Sequence, residues 1–329
     1  MSVLSQKAVA QDLQMATLQH GETMKAYYGP DALNDALGAA AMGDIISLSG
    51  GVFNAPSITK AVTIQGAGYV MDAPNDRYRT TFLGETTVNI PNGEPGLLLE
   101  GLHFVNDVKF NGDSICQFTI RKCRMENLMF YAKIVDGEIY HNKIYHLDWT
   151  ETRNLFIHHD VMHQVYGNNN SNEVGVVIDH CVVTYRLNSD VTAVIQNSLI
   201  KNPIGTTACA FYNNVLCWNW NGSDPKTSIK SGNTGWGIAG YNENTPSEYS
   251  SLFTTPVHAY SWNETYDYKL TDEAAATYLC TDGTQVGLYG GTVPFTDVPT
   301  TPQIVEKQIA TQTDENGMLN VKIRVEAQK

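Results

Sequence analysis

A short repeat in the middle of the chain constrains the fold more than any other feature of the sequence. Six-residue segments that mix apolar and polar side chains recur, and when they are aligned, a polar residue or a glycine occupies the fourth column each time. These residues are Gly101, Lys122, Asn142, His159, His180, Asn197 and Asn214. Successive positions in this column are 17 to 21 residues apart. A repeat of 17 to 21 residues accommodates about three short strands at roughly 3.3 Å per residue, with turns between them. We therefore predict an all-β fold, a right-handed parallel β-helix.

The polar column allows two interpretations. Asn and His at a tight bend hydrogen-bond to the backbone, and Asn tolerates the left-handed conformation that such corners need, so the column can be a structural ladder. The same column can instead line a ligand groove. The composition supports strands broken by turns in either case, with 27 glycines, 17 tyrosines and only 17% charged residues.

The segments that flank the repeat divide the chain into three parts. Residues 5–18 predict a short amphipathic helix that Gly21 ends, and we assign residues 1–29 to a docking helix and linker. Residues 30–44 predict a second helix that caps a β-helix of residues 30–248. Residues 249–329 form a C-terminal cap and tail, and residues 318–327 within it alternate with the period of a strand.

Charge and composition exclude several classes of function. The formal net charge is −13 and no basic run is present, so nucleic acid is not an expected partner. No apolar stretch is long enough to predict a transmembrane helix. The first residues also lack the apolar core of a secretory signal. The six cysteines show no zinc-type spacing, and we expect reduced, buried thiols, with no metal and no cofactor.

One cluster of residues has the chemistry of a candidate active site. Histidines are concentrated at positions 141–163, with carboxylates nearby. Catalytic candidates, if the protein is an enzyme, are His141, Asp148, His158, His159 and Asp160. Glycoside hydrolysis needs two carboxyl groups about 5 to 9.5 Å apart, and a calcium-dependent lyase needs carboxylates stacked on one face. Because Asp160 and Asp179 fall on opposite sides of the polar column, no carboxylate ladder is predicted. A hydrated structural face is the alternative interpretation of this cluster.

Aromatic residues become frequent after the repeats. They can cover the open end of the solenoid, which would otherwise expose its core. They can also stack on sugar rings while neighbouring amides bind the hydroxyls. The candidates for glycan contact are Trp218, Trp220, Trp236, Tyr241 and Trp262.

Two segments resemble a known superfamily. ALNDALGAAAMGDIISLSGGVFNAPSITKAVTIQGAG at residues 32–68 and LLLEGLHFVND at residues 97–107 resemble the first coils of pectin-lyase-like β-helix proteins. With the repeat, this resemblance covers roughly residues 30–220. It implies a capped β-helix, a fold that carries polysaccharide lyases and glycoside hydrolases, and says little about the activity of one member.

The two ends resemble a narrower group. SVLSQKAVAQDL at residues 2–13 is similar to a segment of tail and fibre proteins from phages of gut Bacteroidales, and residues 281–329 are similar to the ends of β-helix proteins from those bacteria and phages. This resemblance implies a non-catalytic structural or attachment protein of a phage or phage-tail-like particle. The expected location is a virion or extracellular particle.

The partners expected from this resemblance are other virion or tail proteins, bound through the N-terminal segment and the C-terminal strand. A homo-oligomer, with a trimer as one arrangement, and contact with a cell-surface glycan are also expected. The alternative function is a polysaccharide lyase or glycoside hydrolase.

Overall fold

The structure is a computed structural model. It describes residues 14–70, 79–167, 175–188, 191–201, 209–216, 234–235, 249–255, 262–263, 265–313 and 315–326. Within these residues the chain forms a parallel β-solenoid of about 8 turns, so the predicted β-helix is confirmed.

Two long sheets form the walls of the solenoid. Sheet A has 11 strands, and its spatial order is β2 (Thr23–Tyr28), β1 (Met15–His20), β3 (Ile45–Leu48), β6 (Thr63–Gln65), β9 (Leu98–Glu100), β11 (Ser114–Arg121), β13 (Lys133–Tyr140), β15 (Thr152–His158), β17 (Val176–Asp179), β19 (Val194–Gln196) and β21 (Ala210–Tyr212).

Sheet B has 12 strands. Ten follow one path, in the order β23 (Thr234–Gly235), β22 (Val215–Leu216), β20 (Leu199–Ile200), β18 (Val182–Leu187), β16 (Val161–Gly167), β14 (Lys143–Trp149), β12 (Arg124–Phe130), β10 (His103–Phe110), β7 (Thr80–Leu83) and β4 (Gly51–Asn54). Strand β8 (Thr86–Val88) pairs with β10 beside β7, and β5 (Ser57–Ile58) pairs with β8.

Alternation of side chains along the strands explains the core. Along β13, Ile134 and Ile139 point inward and are fully buried, and Ile139 lies in register with Ile157 of the next rung. Like residues therefore stack on like. An aromatic stack adds to this core, with the rings of Phe110 and Phe130 4.5 Å apart. Each rung buries apolar surface only against its neighbours, as expected of a solenoid.

The N-terminal cap differs from the prediction. Helix α1 (Ala32–Ala39) is confirmed as the cap and buries Leu33 and Leu37. The helix predicted over residues 5–18 is wrong where it can be compared, because Met15–His20 is a strand that pairs with β2 and β3; residues 1–13 lie outside the described residues. Gly21 lies in the turn between β1 and β2, at φ 58°. Pairing of β1 with β3 closes the first rung, which explains why tertiary contacts override the local helical pattern.

The C-terminal part does not continue the solenoid. Residues 249–255 and 265–295 pack on the outer face of sheet B, and their only α-helix in the described residues is α2 (Asp272–Thr277), whose N-cap Thr271 accepts a hydrogen bond from Ala274 N. The predicted cap is therefore a side cover, at least in its described residues. It buries Val161, Val182 and Leu199, which point out of the solenoid.

From residue 280 the chain returns along the solenoid towards its beginning. We call residues 280–301 the strap. Gly287 N donates to the carbonyl of Asn197 at 2.8 Å, and Thr301 Oγ1 donates to the carbonyl of Gly66 at 3.2 Å. The strap thus runs from one of the last rungs to one of the first.

A two-stranded hairpin follows the strap. Strands β24 (Gln303–Thr313) and β25 (Leu319–Glu326) pair antiparallel, which confirms a strand within residues 318–327. Residues 319–325 of β25 are all exposed. Because side chains alternate along a strand, its four apolar side chains share one face: Leu319, Val321, Ile323 and Val325.

Candidate functional site

The polar column lies at a sharp corner between sheets A and B. At each corner one residue takes the left-handed conformation: Gly101, Lys122, His141, His159, His180, Asn197 and Asn213, at φ between 49° and 68°. The predicted column is correct at five positions and one residue late at two, Asn142 and Asn214. The in-register stacking of Ile139 on Ile157 and of Ile195 on Phe211 sets the true alignment, which follows buried apolar residues rather than amides.

A second column, immediately after the corner, forms a buried hydrogen-bonded ladder. Asn142 Oδ1 accepts from Cys123 N at 2.8 Å, and its Nδ2 donates to the carbonyls of Ile120 and Tyr140. Higher in the stack, Ser198 Oγ accepts from Cys181 N at 3.0 Å. The ladder satisfies backbone groups that the corner removes from the sheets. The structural interpretation of the stacked amides therefore holds for this column.

Asp160 occupies one step of this ladder. Its Oδ1 accepts from the backbone N of Asn142 at 2.5 Å and from Asn142 Nδ2 at 3.1 Å. The Oδ2 atom is buried and has no hydrogen-bond partner. Burial raises the pKa of the Asp160 carboxyl well above its ordinary value. A fully buried carboxyl inside the wall has no path to a substrate, so its position in a ladder explains it better than catalysis.

The strap covers the histidines of the corner. His159 Nε2 lies 3.1 Å from the carbonyl oxygen of Gly290, and His141 Nε2 lies 3.1 Å from that of Val293. Both rings are at most 5% exposed. Burial lowers the pKa of each histidine to about 4, so both are neutral near pH 7. Each Nε2 therefore carries the hydrogen that it donates to the strap.

Neutral His159 leaves its Nδ1 as an acceptor. That atom lies 3.0 Å from Nδ1 of His158, which must donate, and His158 Nε2 faces Glu138 Oε1 at 3.4 Å. The hydrogen bond from His158 lowers the pKa of Glu138. The ring of His158 also stacks on that of Tyr140, with 4.8 Å between the ring centroids.

A third histidine of the corner meets a cysteine of the strap. His180 Nδ1 lies 2.9 Å from Asp179 Oδ1, and its Nε2 lies 3.7 Å from Cys280 Sγ. The order of groups resembles a thiol with a histidine base and its orienting carboxylate. Burial raises the pKa of the Cys280 thiol to about 12, so the sulfur is a neutral, buried donor rather than a nucleophile.

The structure separates the five catalytic candidates. His141, His158, His159 and Asp160 lie together at the corner, where at most 8% of any of these residues is exposed. Asp148 lies elsewhere, on the outer face of sheet B. Among the described residues, no group of three or more His, Cys, Asp and Glu side chains is arranged to hold a metal ion.

The surroundings of Asp148 form a partly exposed strip on three successive rungs, β14, β16 and β18, with His163 buried at its centre. Tyr145 stacks on His163 at 4.7 Å, and His163 stacks on Tyr185 at 5.1 Å. Beside this stack, Tyr166 Oη donates to Gln164 and also bonds Arg186. Burial raises the pKa of Asp148 and lowers that of His146. We call these residues the outer strip: Tyr145, His146, Asp148, His163, Gln164, Tyr166, Tyr185 and Arg186.

One predicted glycan-contact residue lies against the outer strip. The ring of Trp262 is 5.9 Å from Tyr145 and 5.8 Å from His163, and its Nε1 is buried without a hydrogen-bond partner. An aromatic face beside amide, hydroxyl and guanidinium groups is the usual composition of a sugar-binding surface. The other four candidates, Trp218, Trp220, Trp236 and Tyr241, lie outside the described residues.

Sequence reasoning missed the strap and the side cover. One signal was available. The first outward position of sheet B is polar in the early rungs, at His103, Arg124 and Lys143, and apolar in the later ones. The apolar members are Val161, Val182, Leu199 and Val215. A row of apolar residues on the outer face of sheet B indicates that another part of the chain covers the later rungs, because a solvent-exposed face would have stayed polar.

Comparisons of the chain with protein-family models, with curated proteins and with solved structures find no match. Within the described residues, no helix has the length and apolar character needed to cross a membrane.

Proposed function

We propose that the protein is a non-catalytic structural or attachment component of a phage or phage-tail-like particle, held by one end of its β-helix. The main support is the path of the strap, which returns the C-terminal hairpin to the N-terminal end of the solenoid. Gln303 begins the hairpin only two residues after Thr301, which is bonded to Gly66 beside strand β6. Strand β2 lies three strands from β6, a separation of roughly 14 Å.

Two surfaces that no other described residues cover therefore lie near one end. Strand β2 is an edge strand of sheet A, and its Met24 and Tyr28 are 70% and 60% exposed. The hairpin exposes the apolar face of β25. A two-stranded hairpin is marginally stable alone, and an exposed edge favours pairing with another chain. We propose that this end docks to the particle and to other copies of the chain, as a trimer or another homo-oligomer.

The state of the candidate catalytic groups also supports a non-catalytic role. Hydrolysis or elimination on a polymer needs an acid and a base that reach the substrate. Four of the five candidates lie under the strap or inside the wall. Asp148 alone faces outward, and its neighbours in the outer strip favour binding. We propose that the outer strip, with Trp262, makes contact with a cell-surface glycan.

Size-exclusion chromatography with light scattering tests the proposed assembly. We expect the full chain to be a stable multimer, and V321D with I323D, on the apolar face of β25, to reduce it to a monomer. The matched control is N320D with K322D, at exposed positions on the opposite face of the same strand, which should stay multimeric. A monomeric wild-type chain would contradict the proposal.

The alternative function, a polysaccharide lyase or glycoside hydrolase, is tested with the same preparation. Incubation with uronate polymers and neutral polysaccharides, followed by product analysis, should yield no shortened chains. Cleavage that D148N abolishes would instead assign catalysis to the outer strip and overturn the non-catalytic role.

A further inference from the structure

Two histidines of the corner hold the middle of the strap. Residues 287–301 contain no helix and no strand, so no backbone ladder holds them. Their contacts with the corner include the hydrogen bonds from His141 and His159, the bond from Gly287 to Asn197, and the anchor at Thr300. Thr300 donates from its backbone N and its Oγ1 to the buried Glu100 at 2.7 Å.

Protonation would damage these contacts at two defined atoms. His141 Nδ1 is buried and has no hydrogen-bond partner, so a proton added there would find no acceptor. His159 Nδ1 accepts from His158, so a proton added there would place two donors 3.0 Å apart. The rings of His141 and His159 are 5.8 Å apart, and that of His180 is 4.9 Å from His159, so the new charges would repel each other.

Other charges act on the same rings. From the rungs, Glu138 faces His158 and Asp179 faces His180. Arg121 and Lys122 oppose a proton on His141, and Asp297 of the strap acts on Lys122. Other titratable groups beside these rings include Tyr140 next to His141, and Cys280 and Asp282 of the strap next to His180. His141 and His159 have no carboxylate partner in the described residues.

We propose that the strap is a proton-operated latch: protonation of His141 and His159 releases residues 287–301 from the corner while the solenoid stays folded, and so frees the hairpin β24–β25. The ladder of Asn142 and Ser198 lies inside the wall and does not involve the strap, so the solenoid keeps its own hydrogen bonds. Val286, Leu288 and Phe295 oppose the release, because they are buried in the apolar cluster between sheet B and the C-terminal part. The bonds of Thr300 to Glu100 and of Thr301 to Gly66 oppose it as well.

The lowered pKa of each histidine, about 4, sets the range in which the latch acts. When the strap is released, His141 and His159 have the ordinary histidine pKa and bind a proton at a pH at which they stay neutral beneath the closed strap. The contribution of the two histidines to the stability of the closed strap is therefore fully present above the ordinary histidine pKa and is lost as the pH falls towards 4. By linkage, the ratio of closed to released strap should fall about a hundred-fold per histidine between pH 7 and pH 4.

Hydrogen exchange measured by mass spectrometry on the isolated full chain tests the latch. After correction for the intrinsic pH dependence of exchange, peptides from residues 287–301 should lose protection between about pH 6 and pH 4, whereas peptides from β11 to β16 should keep it. Far-UV circular dichroism should retain the β signal over the same range. Strap protection that persists to pH 4, or that disappears together with that of the strands, would overturn the proposal.

Glutamine variants give the matched comparison. H141Q with H159Q keeps an N–H donor for the strap carbonyls but removes both titrations, so strap protection should become nearly independent of pH. The control is H146Q in the outer strip, which removes a partly exposed histidine whose ring packs on Tyr166 and should leave the wild-type profile unchanged. An unchanged profile in the double variant would contradict the role of the two histidines. If a variant folds poorly, the difference in exchange between strap and strand peptides of the wild-type chain still tests the latch.

Discussion

The corner under the strap and the outer strip contain the same kinds of side chain and differ in what covers them. Both contain histidines, an aspartate and aromatic rings on successive rungs. At the corner, His141, His159 and Asp160 are buried beneath the strap or within the wall. The Nε2 atoms of the two histidines and Oδ1 of Asp160 bond to the chain itself. In the outer strip, His146 and Asp148 stay partly exposed. The cover, rather than the residue types, separates structural groups from groups available to a ligand.

The difference has a simple origin. Rung stacking places identical backbone positions one above another about 4.8 Å apart, so any surface column can become a row of chemically related groups. A row becomes structural when another segment satisfies its donors and acceptors, because buried polar groups must be paired. The strap supplies backbone carbonyls to the corner. From the described residues of the C-terminal part, Trp262 packs against the outer strip through its ring.

The largest expected effect follows from preventing the strap from closing. In G290A, the added Cβ would lie 1.8 Å from the carbonyl oxygen of Gln285 and 2.9 Å from His180 Cδ2. The strap cannot accept this atom without moving, so we expect a loss of about 3 kcal/mol in the free energy of unfolding, measured by urea denaturation.

The control for this substitution is G283A, near the start of the strap. Its Cβ would meet nothing within 4 Å, although φ is +80°. A cost of about 1 kcal/mol from backbone conformation is expected there. Equal losses in the two variants would show that crowding at the corner is unimportant.

A smaller effect follows from completing the corner ladder. In D160N, an amide Nδ2 would replace the oxygen that has no partner, as in Asn142. We expect the free energy of unfolding to rise by about 1 to 2 kcal/mol near neutral pH.

The pH dependence of this gain has a defined sign. Because the folded-state pKa of Asp160 is raised, the carboxyl favours the fold below its unfolded pKa, and this contribution is lost as the pH rises. The advantage of D160N should therefore be larger near pH 7 than near pH 5, in urea denaturation at both values. A variant that is less stable than the wild type at both would show that Asp160 has a partner the ladder requires.

The smallest effect on stability is expected in the outer strip. W262A removes a partly exposed ring, so the unfolding free energy should fall by about 1 kcal/mol or less. Binding to soluble bacterial polysaccharides, measured by affinity electrophoresis, should weaken at least several-fold because the aromatic platform is lost. Y28A, which changes an exposed tyrosine of β2 in sheet A, is the control and should bind as the wild type does. Equal binding by W262A would remove the outer strip as a glycan site.

The sequence was sufficient for features that depend on neighbouring residues. Corner residues recur every 16 to 21 residues along the chain. The β-helix and most of the register between its rungs therefore follow from the local alternation of apolar and polar residues. The errors at Asn142 and Asn214 arose from matching amide to amide. Aligning the inward residue Ile139 with Ile157, and Phe211 with Ile195, gives the correct register. Burial of apolar side chains sets this register.

The site depended on contacts that no local pattern contains. His141 and Val293 are separated by 152 residues, and His159 and Gly290 by 131. The strap also lacks periodicity, since its residues bond to the solenoid one at a time rather than through a ladder. The histidine cluster could be found from the sequence, but whether it faced water or protein could not.

The strap also alters how the molecule should fold. A solenoid with only nearest-neighbour contacts can grow or fray from either end. The bond from Thr301 to Gly66 spans 235 residues, and such distant contacts form late because long loops must close first. Once formed, they join the first and last rungs into one cooperative unit. Unfolding should then begin with loss of the strap, after which the terminal rungs become free to fray.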